Sequence, residues 1–117
     1  MKALFREILL SFWKIHLLHH AAEGPIYGQW ALGELRRHGY DISPGTLYPL
    51  LRRMESHGWL KSERDATARK NARQSYVLTG EGQKVLDLIR TQLNELYREV
   101  IGEMGMGRAD PCKKYSA

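Results

Sequence analysis

Residues 43–60 read SPGTLYPLLRRMESHGWL, and the fold of the whole chain turns on how this stretch is organised. Ser43 is a favoured N-cap and Pro44 suits the first helical position, where a missing N–H leaves no bond unmade, so a helix is predicted to begin here. Leu47, Leu50, Leu51 and Met54 then fall at i, i+3, i+4 and i+7, one apolar stripe facing a core. The opposite face holds Gly45, Pro49, Arg52 and Ser56, flanked by Tyr48 and Arg53. Small residues at a helix start let a partner come close, and guanidinium forks match phosphates and guanine edges. Gly58 supplies the left-handed residue that closes such a helix, and Trp59 and Leu60 open an extended segment. Pro49 leaves two arrangements open: a kink inside a helix begun at Pro44, or a later start with Thr46 as N-cap and Pro49 in the first turn.

The flanking segments extend the pattern. Residues 27–38, YGQWALGELRRH, place Ala31, Leu32 and Leu35 on one side and end in a cationic turn before Gly39, which predicts a helix with a glycine stop. Only residues 39–42 separate it from the next helix, the spacing of a helix-turn-helix. Downstream, residues 59–64 and 74–79 are short runs with extended-favouring side chains. Between them lies DATARKNAR; from Lys61 to Arg73 five basic residues face two acidic ones, and Arg69, Lys70 and Arg73 sit at or beside a hairpin tip with nothing apolar to bury. The predicted fold is mainly α with a small β-hairpin wing: a winged helix-turn-helix over residues 1–79, a long helix over 80–104 and a flexible tail from 105.

Four motifs in this order, GPIYG at 24–28, GTLYPLLRRME at 45–55, HGWL at 57–60 and YVLTGEG at 76–82, resemble the PadR family of bacterial winged-helix transcription regulators over about residues 9–100. The resemblance implies a dimeric repressor that binds an inverted repeat of double-stranded DNA and releases it in response to a small molecule or another signal. The chain departs from the family pattern at Gln29 and Trp30, at the wing tip and at Pro49.

Size and charge agree with one small regulatory domain. A chain of 117 residues with 43% apolar side chains can form a modest core, and small domains commonly gain stability by pairing. Net charge is +5, and residues 1–80 hold twelve basic and seven acidic side chains against three and five in 81–104, so the positive field belongs to the helix-turn-helix half. Arg6, Glu7 and Lys14 interrupt the N-terminal MKALFREILLSFWKIHLL, which reads as neither a secretory signal nor a membrane span. A single Cys112 rules out an intramolecular disulfide and suits a reducing cytoplasm.

In the final helix Leu86, Ile89, Leu93, Leu96 and Val100 recur at spacings of three and four, the repeat of a helix–helix seam, and Leu88, Tyr97 and Ile101 broaden it. Thr79 is a candidate cap. This is the expected dimerisation element, with residues 5–21, apolar round most of their surface, as a second contributor.

Chemistry finds little support. There is no phosphate-binding glycine loop and no nucleophile elbow, so no enzymatic activity and no cofactor are expected. His16 and His20 are one helical turn apart and could share a metal such as zinc, but two ligands do not make a site; Glu23, His57, Cys112 or a partner would have to supply the rest. Trp13 and Trp30 are candidates to line a site for an aromatic or drug-like effector, although aromatics at helical spacing are more often core. The expected function is a homodimeric, sequence-specific DNA-binding repressor contacting DNA through Ser43, Gly45, Thr46, Tyr48, Pro49, Arg52, Arg53 and the wing. Two alternatives are a winged-helix protein-interaction module and a metal-responsive repressor.

Overall fold

Helix, strand, two helices, a hairpin and a final helix succeed one another along the chain in the computed structural model, which describes residues 2–64 and 74–102. Helix α1 spans Lys2–Glu23, strand β1 Ile26–Tyr27, α2 Gly28–Arg37, α3 Pro44–Ser56, β2 Leu60–Arg64, β3 Gln74–Leu78 and α4 Gly80–Tyr97. A π-helical turn, Arg98–Gly102, follows α4. Residues up to Leu86 form one compact unit and those from Asp87 a second.

The apolar stripe of α3 is the centre of the first unit. Leu47, Leu50, Leu51 and Met54 are fully buried, joined by Leu17 and Leu18 of α1, Leu35 of α2, Ile42 and Leu60. Each such side chain contributes about 1.5–3 kcal/mol on burial, so the predicted stripe is the main adhesive of the helix-turn-helix. Both of its helices end as glycine-closed turns. At α2, Gly39 (φ +91°) donates its N–H to Arg36 and Tyr40 donates to the Leu35 carbonyl. At α3, Gly58 (φ +82°) donates to Glu55 and Trp59 to Met54. In both, the left-handed glycine lets the chain leave abruptly while capping the orphaned carbonyls.

Of the two starts open for α3, the earlier is observed. Ser43 stands in the extended N-cap position, its carbonyl accepts from the N–H groups of Thr46 and Leu47, and Pro49 lies inside the helix. The Ser43 hydroxyl donates to the Thr46 hydroxyl instead of capping the backbone.

The wing is broader than a hairpin. β2 and β3 pair antiparallel with Leu60 opposite Leu78 and Arg64 opposite Gln74, and β1, whose Tyr27 the sequence assigns to the start of a helix, adds to β3 with Ile26 opposite Tyr76. The sheet order is β1-β3-β2. A two-residue strand has no alternation to detect; it exists because its neighbour offers a free edge.

Helix α4 starts in the first unit. Thr79 caps it by accepting from the Gly82 N–H at 2.9 Å, while its own hydroxyl reaches the carbonyls of Gly58 and Trp59. A β-carbon on Gly82 would collide with the Trp59 carbonyl, so only glycine permits this approach. Leu86 is 1% exposed and belongs to the chain's own core, which corrects its assignment to an intermolecular seam. The first compact unit runs to Leu86 and so takes in the first turns of α4.

Candidate nucleic-acid interface

The side of α3 away from the core carries the residues singled out from the sequence. Ser43, Gly45, Arg52 and Arg53 are exposed, and Thr46, Tyr48 and Pro49 are half-buried along the same helix. Arg6 of α1, which sequence reasoning missed, donates to the Thr46 hydroxyl at 2.9 Å and brings a further guanidinium to the helix start. No periodicity could have found it, because residues 40 positions apart meet only in the folded chain.

Tyr48 and Arg52 also border an open recess of about 250 Å³, with Tyr27, Gln29, Gln74 and Tyr76. Gly28 explains the small residue after Tyr27: a β-carbon there would strike the Tyr48 ring, so glycine sets the ring's position. Glu55 lines the same recess, and its carboxylate accepts from the Ser62 hydroxyl at 2.5 Å and from the Ser62 N–H at 3.0 Å. These bonds hold its carboxyl below the usual carboxylate range and tie α3 to β2. Burial pushes the Tyr76 phenol, which also lines the recess, above its ordinary range. His57 stacks on Trp59, with centroids 4.7 Å apart, at the bend between α3 and the wing. Arg69, Lys70 and Arg73 lie outside the described residues.

Exposed small and cationic residues on a helix presented beside a three-stranded wing are the means by which a helix-turn-helix enters a DNA groove. Residues 17–88 match the family described as transcriptional regulator PadR-like. The chain belongs to the PadR-like family. A transcriptional regulator of Mycobacterium tuberculosis is 45% identical to it over 83% of this chain and 90% of its own length. Among solved structures, a PadR family regulator from Eggerthella lenta is 32% identical with a TM-score of 0.69, covering 92% of this chain and 96% of that one. A PadR-like regulator from Bacillus cereus shares the fold at 22% identity with a TM-score of 0.75, over 87% and 99%. This PadR-like chain is a DNA-binding transcriptional regulator.

The other predicted residues have different surroundings. Trp13 is 3% exposed, edge-on to the Tyr40 ring and buried in the first unit, so it lines no open effector site; this corrects its assignment. Trp30 is 47% exposed, edge-on to His20. His16 and His20 do come together, and the third imidazole beside them is His38 at the end of α2, not His57. Burial, followed by the neighbouring imidazoles, holds His16 below the usual histidine range. Among the described residues no helix is long and apolar enough to cross a membrane.

Proposed function

We propose that this PadR-like regulator is a homodimeric repressor without enzymatic activity, acting in the cytoplasm on an inverted-repeat operator. The single observation that carries the reading is the apolar surface of α4 and its π-helical turn: Leu88, Leu96, Tyr97, Val100 and Ile101 are each more than half exposed. Large apolar side chains clustered at i, i+1, i+4 and i+5 do not stay in water when a second copy can cover them. Ile89 and Leu93, half-buried on the same helix, would continue that interface. Pairing through α4 sets two copies of α3 in successive major grooves, roughly 34 Å apart, as helix-turn-helix dimers require.

In this reading Arg52, near the middle of the outer face of α3, reads a base edge, while Arg53, Thr46 and the Tyr48 hydroxyl hold phosphates. Arg69, Lys70 and Arg73 act along the adjacent backbone. Trp30, exposed on α2, is the aromatic side chain best placed to meet an aromatic or drug-like effector. DNA retardation with genomic fragments at two salt concentrations tests the proposal. A repressor gives specific complexes that survive the higher salt, together with weaker, strongly salt-dependent binding to random DNA. A protein-interaction module would give neither.

A further inference from the structure

His16 and His20 of α1 and His38 at the end of α2 each present a ring nitrogen, and the three lie within 4.8 Å of one another. Nothing in DNA recognition uses them. Around tetrahedral zinc, with bonds of about 2.0–2.1 Å, ligand nitrogens stand about 3.4 Å apart, so a small torsional adjustment brings these three to ligation distance. The surroundings resemble the outer shell of a histidine metal site. His20 Nδ1 is 2.9 Å from Glu23 Oε1, which leaves Nε2 directed toward Glu34, 3.6 Å from its Oε1. A carboxylate on the far nitrogen fixes the tautomer and raises the basicity of the nitrogen left for a metal. The same Glu34 oxygen lies 3.2 Å from His38 Nε2. Tyr40 approaches His16 Nε2 at 3.1 Å.

Glu34 is also held in place by hydrogen bonds from Arg37, at 2.6 and 3.1 Å, so its carboxylate stays beside two of the three imidazoles.

We propose that His16, His20 and His38 form a binding site for a divalent transition cation of the zinc class, with Glu34 completing or backing the ligand set. Imidazole and carboxylate donors suit Zn(II), Co(II) and Ni(II) better than the hard alkaline-earth ions. The cation ties α1 to the last turn of α2, directly before the Gly39–Ser43 connection to the recognition helix. This holds whether or not the chain is a repressor, because the site lies in the first unit and is built from α1 and the end of α2, without a residue of α3.

The experiment uses untagged full-length protein stripped with chelator and titrated with Co(II), then with Zn(II) in competition. Visible d–d absorption reports ligation, and tryptophan emission reports proximity, since Trp30 adjoins His20 and Trp13 adjoins Tyr40. The expected result is one Co(II) per chain, displaced by Zn(II), with at least about tenfold weaker binding in His38→Ala and His16→Asn. His57→Ala and Cys112→Ser should bind as the parent does. His19 with His20 and Glu23 forms a second, overlapping group on α1 alone, so His19→Ala distinguishes the two. Saturating Zn(II) should also raise the thermal midpoint of the parent and not of His38→Ala. Absence of d–d absorption at stoichiometric Co(II) would overturn the proposal. So would unaltered affinity in folded His38→Ala and His16→Asn, or loss of binding only in His19→Ala or Cys112→Ser.

Discussion

At the scale of single residues, two glycines and one arginine carry the sharpest expectations. Gly82 faces the Trp59 carbonyl, a backbone atom that cannot swing aside. Gly82→Ala should therefore cost about 1–3 kcal/mol by overpacking, read as a lower denaturation midpoint. Gly28→Ala meets a tyrosine ring, which can rotate, so its effect should fall less on stability and more on DNA affinity as Tyr48 leaves its place. Equal stability losses in both would mean that the Tyr48 ring is as fixed as the backbone. Arg52→Ala should cost about 1–3 kcal/mol on operator DNA and relax preference at one base position. If binding to operator and random fragments weakened equally, Arg52 would belong on a phosphate.

Between elements, the Glu55–Ser62 bonds join the recognition helix to the wing. The folded state holds Glu55 below its ordinary pKa of 4.5, chiefly through the Ser62 hydroxyl and then the Ser62 N–H. A depressed carboxylate adds stability that is fully present above the unfolded pKa and is lost as pH falls through the folded one. Glu55→Gln should accordingly lower the urea midpoint at pH 7, and its deficit should shrink as pH drops below about 4.5. A deficit independent of pH would mean that the bonds to Ser62 contribute through geometry alone. The wing itself is predicted to act through charge. Replacing Arg69 and Lys70 with alanine should reduce the slope of log affinity against log salt by about one unit for each phosphate that is no longer neutralised, with base preference retained. An unchanged slope would mean that the wing neutralises no phosphate.

For the molecule as a whole, α4 separates two roles by burial. Leu96 is 54% exposed and Leu86 1%, on one helix and in one apolar repeat. Replacing Leu93 and Leu96 with aspartate should give a folded monomer with much weaker operator binding, measured by light scattering and retardation. Leu86→Ala should leave pairing intact and destabilise the fold by about 2–5 kcal/mol. A dimer that survives the aspartates would move the interface elsewhere. That contrast also marks the limit of the sequence. Local signals are legible in it: the stripe from Leu47 to Met54, the glycine stops at Gly39 and Gly58 and the cap at Thr79 depend on near neighbours in the chain, and each stands where its chemistry requires. The start of α3 before Pro49 is not, because one proline fits both a first turn and a tolerated interior position. What only the tertiary structure decided are the meetings of distant segments. These are the pairing of Ile26 and Tyr27 with β3, Arg6 at Thr46, His38 beside His16 and His20, and the burial of Trp13 and Leu86 in their own chain. Periodicity tells which face of a helix is apolar; it cannot tell what covers that face, because burial depends on the elements that pack against it.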